Sequence, residues 1–289
     1  MGGKLIIAGG NLQYCNNEIQ ELLINYAGGK DAKLVIIATA SSDPEYSMDY
    51  IGQSWNQLGV DSKNIVRLPI FAEKGKRWRE PSQGDNEEFL EMIRGATGFW
   101  FTGGDQYYIH KAFLRKDGSD TKILSYIKEV VANGGTVGGT SAGAAMMSEI
   151  MIASGNNISA LKTPTLYGYE DYDDSNEDIE NLRLVKGLGF FKEGIIDQHF
   201  DARARILRLI KSVMDDNHNF TMGYGVSEDT GLIYDIDKKE ISVAGSGAVY
   251  IVNCEDTKNK GTSYENVKLN VIQKGDLYNL ETKKIKFRE

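Results

Sequence analysis

The chain has 289 residues, of which 41% are hydrophobic and 26% charged, so it is long enough to bury one large core in one domain or two. Its 33 basic and 41 acidic side chains give a formal net charge of −8, which disfavours binding along a nucleic-acid backbone. No apolar stretch approaches the roughly 18 residues of a membrane-spanning helix, and the first residues lack the pattern of a signal peptide. We therefore expect a cytoplasmic protein without nucleic-acid or membrane partners, or a secreted one if a leader has been removed.

Cysteine and histidine usage argues against a metal site. Cys15 and Cys254 lie 239 positions apart and are expected to be reduced thiols. The three histidines, His110, His199 and His218, are scattered without the spacing of metal ligands. The glycine pair after the first predicted strand also lacks the three spaced glycines of a dinucleotide loop. We expect no metal and no other cofactor.

Strand and helix patterns alternate over the first 150 residues. Helical patterns begin at the N-cap Asp43 and run towards Leu58, extend from Asp85 to Arg94, and form an apolar face from Ile123 to Val131. This alternation predicts an α/β fold with an open, mostly parallel sheet and helices on both faces. The apolar runs that predict its buried strands are Leu5–Ala8, Leu34–Ala38, Ile65–Ile70 and Gly98–Thr102.

The second half of the chain is less regular. Residues 167–180 are acidic and aromatic, which predicts a solvated loop. Short strands follow from Thr221 onward, at Gly231–Asp235, Ile241–Ala244 and Ala248–Val252, and are expected to form the antiparallel edge of the same sheet. Because no break in composition marks a second domain, we expect a single domain over residues 1–289 with a short β-rich extension from about residue 255.

The strongest local signal is the Gly-x-Ser-x-Gly sequence centred on Ser141. A short predicted strand precedes it, an Ala-rich helix follows, and both immediate neighbours of the serine are small, as a nucleophile elbow requires. Backbone N–H groups at the start of that helix are suited to stabilise a developing oxyanion. The alternative is a glycine-rich turn that binds an anion without catalysis.

A serine nucleophile requires a base, and only three histidines are available. His218 lies in a polar stretch typical of a surface, and His110 lies on a predicted helix where packing is the simpler role. His199 instead follows a predicted buried strand, at the edge where α/β sheets place their sites. The pattern favours His199 as the base.

The acid that would orient this histidine has four candidates, Asp197, Asp201, Glu228 and Asp229. Glu228 and Asp229 lie at the end of another predicted strand. If either is the acid, the order along the chain is serine, histidine, acid. Since α/β-hydrolases have the order serine, acid, histidine, this order argues against a lipase or esterase fold.

Four segments together resemble cyanophycinases, which belong to the serine peptidase family that also contains aspartyl dipeptidase. These segments are Thr102–Gln106, Gly139–Ala144, Asp197–Phe200 and Glu228–Thr230. The resemblance covers about residues 1 to 255 in order and spacing. It implies a flavodoxin-like fold related to class I glutamine amidotransferases, and it implies a homodimer.

The resemblance also implies the catalytic roles. Ser141 would be the nucleophile, His199 the base and Glu228 the third member of the triad. Asp229 remains the alternative for the third member. The oxyanion hole would come from the backbone N–H groups of Ala142 and Gly104.

The substrate implied by the resemblance is cyanophycin, a polyaspartate that carries arginine on each β-carboxyl and is released as β-aspartyl-arginine dipeptides. Arginines follow the histidine in cyanophycinases, and Arg203, Arg205 and Arg208 take those positions here. Arginine binds carboxylates in a bidentate manner. On an ideal helix Arg203 points about 200° away from Arg205, so the three converge only if Arg203 precedes the first regular turn. An amphipathic helix with a solvated basic face is the alternative.

Gln106, Asp197 and Gln198 match the remaining pocket positions, and Asp197 is expected to pair with a substrate guanidinium. The leading hypothesis is therefore a serine exopeptidase that hydrolyses cyanophycin through an acyl-enzyme. A dipeptidase acting on small aspartyl or isoaspartyl peptides is the second hypothesis, and a non-catalytic amidotransferase-like binding protein is the third.

Overall fold

The computed structural model of the chain describes residues 2–12, 18–71, 83–169 and 181–288. Cys15 and residues 170–180 of the predicted acidic loop lie outside the described residues. Cys254 is a buried free thiol. In the described part of the chain, no helix has the length and apolar character needed to cross a membrane.

Strands and helices alternate through the first half of the chain, as the sequence predicts. The helices are α1 (Glu18–Tyr26), α2 (Pro44–Gln57), α3 (Glu87–Ile93), α4 (Gln106–Phe113), α5 (Lys122–Ala132), α6 (Ala142–Ala145), α7 (Asn157–Lys162) and α8 (Ile206–Val213), with 3₁₀ turns at Gly29–Asp31, Ser62–Asn64 and Gln83–Asp85. The strands are β1 (Lys4–Ala8), β2 (Leu34–Ile37), β3 (Ile65–Leu68), β4 (Gly98–Phe101), β5 (Thr136–Thr140), β6 (Ile150–Ser154), β7 (Leu166–Tyr167), β8 (Arg183–Lys186), β9 (Ile195–Asp197), β10 (Met222–Val226), β11 (Thr230–Asp235), β12 (Glu240–Gly245), β13 (Ala248–Asn253), β14 (Lys258–Lys260), β15 (Ser263–Glu265), β16 (Lys268–Gln273), β17 (Leu277–Asn279) and β18 (Lys284–Lys286).

The main sheet has nine strands in the order β18–β17–β12–β11–β1–β5–β4–β2–β3. The five strands from β1 to β3 in this order are parallel to their neighbours. β11 pairs with β1, and β12 with β11, in the antiparallel sense. The expected α/β class is confirmed, as is the antiparallel edge predicted for residues 231–235 and 241–244.

A second, four-stranded sheet has the order β16–β13–β10–β9. The expectation that residues 248–252 extend the main sheet is wrong, because β13 pairs with β10 and β16 instead. Gly245, at the end of β12, has a φ of 93°, and a Cβ added there would lie 2.2 Å from the carbonyl oxygen of Asp229. The chain therefore turns sharply between β12 and β13 and leaves the main sheet.

Side chains of the central strands alternate between two apolar cores. Ile7, Ile37 and Phe101 pack in one core beneath α3, α4 and α5, whereas Ile6 and Trp100 pack in the other beneath α1 and α2. This alternation follows from the period of two along a strand. Both faces of the sheet are thus covered, which explains the nearly continuous apolar runs of these strands.

Capping residues define where the helices begin. The carboxylate of Asp43 accepts a hydrogen bond from the backbone N–H of Tyr46 and Pro44 opens α2, as predicted. The predicted cap at Asp85 is wrong by one residue. Asn86 caps α3, whereas the carboxylate of Asp85 pairs with Arg115.

One buried hydrogen bond joins α1 to α2 and supplies a test of the fold. The indole N–H of Trp55 donates to Oε1 of Gln20 at 2.7 Å. The indole N–H of Trp100, which is equally buried, has no partner among the described residues. We expect Trp55→Phe to lower the free energy of unfolding by about 2 kcal/mol, since it leaves the Gln20 carbonyl unpaired. Trp100→Phe removes the same volume and is the matched control, with a loss smaller by about 1 kcal/mol. Equal urea midpoints for the two variants would contradict this interpretation.

Candidate active site

The predicted functional residues lie where the carboxyl ends of strands from two sheets meet. β1, β4 and β5 of the main sheet end there, and so do the parallel strands β9 and β10 of the second sheet. In α/β folds the carboxyl ends of parallel strands are where sites form. Each predicted catalytic residue follows one of these strand ends.

Ser141 lies in a sharp turn between β5 and α6. Its φ is 53°, in the left-handed region that side chains rarely adopt. A Cβ added to Gly139 would lie 2.4 Å from the carbonyl oxygen of Gly143, so the turn closes only with small residues on both sides of the serine. The Gly-x-Ser-x-Gly spacing therefore has a steric cause, and the turn presents the serine hydroxyl at the sheet edge.

A continuous hydrogen-bonded chain connects Ser141, His199 and Glu228. Nε2 of His199 lies 3.0 Å from Oγ of Ser141, and Nδ1 lies 2.5 Å from Oε1 of Glu228. Oε2 of Glu228 accepts a hydrogen bond from the side-chain amide of Asn11 at 3.1 Å. These contacts form the arrangement of a nucleophile, a base and an orienting acid.

The other acidic candidates have different contacts. Asp229 accepts a hydrogen bond from the hydroxyl of Ser246 at 3.0 Å, and Asp201 is exposed and accepts one from the N–H of Ala202. Of the four candidates, the described contacts place only Glu228 against the histidine.

Three successive carbonyl oxygens at the end of β1 accept hydrogen bonds from the backbone segments that carry Ser141, His199 and Glu228. The Ala8 carbonyl accepts the N–H of Ser141 at 3.1 Å, and the Gly9 carbonyl accepts the N–H of His199 at 2.6 Å. The Gly10 carbonyl accepts the N–H of Asp229, the residue after Glu228, at 2.9 Å. One short segment thus fixes all three backbones relative to one another.

The surroundings of His199 hold its imidazole neutral. Burial lowers the pKa of His199 below its usual value, and the charges of Arg203 and Arg205 act in the same direction, against the opposing effect of Glu228. The hydrogen bond with His199 lowers the pKa of Glu228, and the amide of Asn11 adds to this effect. A neutral imidazole beside an ionised carboxylate is the state in which a histidine accepts a proton.

The turn after β4 runs beside the serine. A Cβ added to Gly103 would lie 3.2 Å from Cβ of Ser141, and one added to Gly104, whose φ is 136°, would collide with the Ala40 carbonyl. Only glycine allows this close approach. Among the described residues, the backbone N–H groups of Gly104 and Ala142 have no hydrogen-bond acceptor.

The three predicted arginines divide into two groups. Arg203 and Arg205 precede the first residue of α8, which meets the geometric condition for Arg203 set by the sequence. Arg203 is exposed, and its guanidinium makes no hydrogen bond with the described residues. Arg205 is largely buried and donates to the Gln198 carbonyl at 2.7 Å, and burial lowers its pKa to about 10. Both charges lie beside the histidine.

Arg208 is instead part of a buried ion pair. Its Nε donates to Oδ2 of Asp197 at 3.0 Å, its Nη2 donates to Oδ1, and its Nη1 donates to the Gly155 carbonyl at 2.5 Å. Asp197 and Arg208 are 1% and 3% exposed. The expectation that Asp197 pairs with a substrate guanidinium disagrees with this geometry, because both of its oxygens already bind Arg208.

The two predicted glutamines make different contacts. Oε1 of Gln198 lies 3.5 Å from Oγ of Ser141. Gln106, the first residue of α4, donates its side-chain amide to the Ala153 carbonyl of β6. Gln198 therefore contacts the serine directly, whereas Gln106 joins α4 to β6.

Sequence reasoning missed two asparagines that hold this site. Oδ1 of Asn157, on α7, accepts the N–H groups of Leu207 and Arg208 at 3.0 Å each and so caps α8 from a different helix. Asn11 contacts Glu228, as described above. Neither has a local sequence signal, since the partners are 50 or more positions away.

The remaining features are separate from this site. His110 Nδ1 contacts the Lys186 carbonyl and His218 Nε2 the Ser212 carbonyl, both at backbone oxygens. A cavity of about 480 Å³ borders Thr97 and Gly135, which precede β4 and β5 and so lie at the opposite edge of the sheet. No group of three or more metal-ligating side chains occurs within the described ranges.

Comparisons with known proteins show what the chain is similar to in sequence. Residues 5–242 match the sequence profile of peptidase family S51. A cyanophycinase from Geminocystis herdmanii (strain PCC 6308) is 31% identical over 290 residues, covering 96% of this chain and 93% of that protein. A cyanophycinase from Synechococcus elongatus is 29% identical over 297 residues, covering 99% of this chain and 82% of that protein.

The fold likewise resembles a solved structure. A peptidase from an acI-B1 Actinobacterium superposes with a TM-score of 0.60 at 20% identity, covering 96% of this chain and 97% of that one. This likeness confirms the class I amidotransferase-like fold expected from the sequence.

The buried ion pair supplies a stability test. We expect Asp197→Asn to lower the free energy of unfolding by about 3 kcal/mol, because the Arg208 charge would then be buried without its partner. The control is Asp256→Asn, which breaks the exposed pair with Lys268 and should leave the urea midpoint unchanged. A wild-type midpoint for Asp197→Asn would show that the Asp197 carboxylate is not needed to hold Arg208.

Proposed function

Because the chain belongs to peptidase family S51, a family of serine-type peptidases, we propose that it is an exopeptidase that hydrolyses cyanophycin to β-aspartyl-arginine dipeptides. The observation that carries the chemistry is the hydrogen-bonded chain from Ser141 through His199 to Glu228. The substrate is supported by the names of the relatives and by the positive charges beside His199.

In the proposed mechanism, Nε2 of His199 takes the hydroxyl proton of Ser141 as Oγ attacks the scissile carbonyl. Glu228 holds the imidazole by its Nδ1 and stabilises the imidazolium that forms. The tetrahedral oxyanion would bind the N–H groups of Gly104 and Ala142. The imidazolium then protonates the leaving amine, and water hydrolyses the acyl-enzyme by the reverse proton transfers, which regenerates the serine.

The proposed substrate contacts follow from which groups remain available. Arg203 is exposed and is assigned to a substrate carboxylate. Gln198 lies against the serine, and Arg205 supports it from the side of α8. Gln106 would contribute through its carbonyl oxygen, since its amide nitrogen is bonded to β6. Asp197 and Arg208 are assigned to holding the segment between β9 and α8 rather than to substrate.

We further propose a single catalytic domain over residues 1–289 that acts as a cytoplasmic homodimer. The dimer is implied by the family resemblance, and the location rests on composition. Analytical ultracentrifugation and cell fractionation test these two proposals separately.

The first test uses insoluble cyanophycin. We expect the protein to clear a cyanophycin suspension and release β-aspartyl-arginine, identified by mass, and we expect Ser141→Ala to abolish clearing. His199→Ala should lose activity by a factor of about 10³ or more, whereas the matched variant His218→Ala should retain it.

Each contrary outcome has its own meaning. Clearing by Ser141→Ala would show that Ser141 is not the nucleophile. Failure of both proteins to clear the polymer would reject cyanophycin as substrate, and a panel of aspartyl and isoaspartyl dipeptides would then test the dipeptidase. If a serine-directed probe also failed to label the wild-type protein, the remaining hypothesis would be a non-catalytic binding protein.

The charge of Arg203 should be visible in the pH profile. Because this charge lowers the pKa of His199, Arg203→Ala should raise that pKa and move the acid limb of kcat/KM to higher pH. The position of this limb reports the pKa of the free enzyme, so it is separate from any loss of substrate affinity. Arg94→Ala, at an exposed arginine paired with Glu91, is the control and should leave the limb in place. If the acid limb of kcat/KM were unchanged in Arg203→Ala, the charge of Arg203 would have no effect on the pKa of His199.

A further inference from the structure

We infer that Gly10 and Asn11, which follow the first strand, are positioning residues for the catalytic histidine and glutamate. The inference rests on the proposed roles of Ser141, His199 and Glu228. Its own basis is the geometry of the two residues, neither of which forms or breaks a bond in the proposed mechanism.

Gly10 supplies the surface against which the imidazole lies. A Cβ added there would lie 2.2 Å from Cε1 and 2.4 Å from Nε2 of His199. Distances this short are incompatible with any side chain at position 10, so the ring reaches Ser141 only because position 10 is glycine. The carbonyl of the same residue binds the backbone beside Glu228. A displaced Gly10 would therefore disturb both the base and its acid.

Asn11 controls the orientation of Glu228. The Glu228 side chain is 31% exposed, so its carboxylate is free to rotate towards water unless a second contact holds it. The Asn11 amide donates to Oε2, which turns Oε1 towards Nδ1 of the histidine. Asn11 has a φ of 47°, and asparagine is among the residues that best tolerate this left-handed conformation. The residue type thus fits both the backbone and the contact.

The first test removes the amide without straining the backbone. Asn11→Gly keeps the left-handed conformation available, and Asn266→Gly makes the same change at an exposed asparagine with a φ of 64°. The readout is the rate at which a fluorophosphonate phosphonylates Ser141 with loss of fluoride, which does not depend on the identity of the natural substrate. We expect a roughly tenfold slower rate for Asn11→Gly and no change for Asn266→Gly.

Asn11→Asp gives a signature that a purely structural role would not. A carboxylate at this position repels Glu228 and adds negative charge near His199, whose other charged neighbours are Arg203 and Arg205. The acid limb of the phosphonylation rate should therefore move to higher pH, because a nearby negative charge favours the imidazolium.

The second test addresses the space beside the imidazole. Gly10→Ala and Gly28→Ala place a methyl group at nearly equal φ values of 114° and 118°, but the methyl at position 28 has its nearest neighbour at 3.8 Å. Both variants strain the backbone, and only the first contacts His199. We expect phosphonylation of Ser141 to be about 100-fold slower in Gly10→Ala and to match the wild type in Gly28→Ala, with urea midpoints showing that each variant is folded.

The possible failures are distinguishable. A wild-type protein that the probe does not label at Ser141 overturns the proposed catalytic function, and the positioning roles with it. The role of Asn11 alone is overturned if the wild type is labelled, Asn11→Gly is labelled at the same rate as the wild type, and the acid limb of Asn11→Asp is not shifted. Equal rates for Gly10→Ala and Gly28→Ala overturn the role of Gly10, and the catalytic proposal stands in both cases.

Discussion

The candidate site depends on three consecutive carbonyl oxygens at the end of the first strand. Ala8, Gly9 and Gly10 bind the backbones of the serine segment, the histidine segment and the segment after the glutamate, respectively. The three segments come from two different sheets. Because these hydrogen bonds are between backbone atoms, they fix relative positions independently of side-chain rotamers. The side-chain contacts of His199 with Ser141 at 3.0 Å and with Glu228 at 2.5 Å are therefore a consequence of how the backbones are joined.

This arrangement stores backbone strain at, or directly beside, the proposed catalytic residues. Ser141, His199 and Asp229 have φ values of 53°, 46° and 48°, a conformation that costs about 1 kcal/mol or more for each non-glycine residue. Each of the three also donates its N–H to the end of the first strand, and a hydrogen bond of this kind stabilises by about 1 kcal/mol. The strain is thus held by the same bonds that align the site.

Sequence alone was sufficient where the signal is local. The strand–helix alternation predicted the parallel sheet. The five-residue Gly-x-Ser-x-Gly motif, which a tight turn requires for steric reasons, identified Ser141. His199 and Glu228 required the rule that sites form at strand ends, together with a family resemblance, because their contacts with Ser141 and with each other span 58 and 29 positions. The Asn11–Glu228 contact spans 217 positions, and no periodic or motif signal reports a pair so distant. The crossing of residues 248–253 into a second sheet was missed because alternation of apolar residues does not specify the partner strand.

The division of the arginines follows from the balance of charge around a single buried carboxylate. Asp197 has two carboxylate oxygens, and the guanidinium of Arg208 binds both. Nη1 of Arg205 lies 3.7 Å from Oδ1 of Asp197, so this carboxylate neutralises only part of the Arg205 charge and none of the Arg203 charge. An uncompensated positive charge therefore remains beside His199, in a chain whose net charge is −8. That charge has two effects with one cause. It adds to burial in lowering the pKa of the imidazole, which favours the neutral base, and it attracts a carboxylate. A substrate carboxylate bound at Arg203 would cancel part of the charge and so raise the pKa of His199, which makes the imidazole a stronger base once substrate is in place.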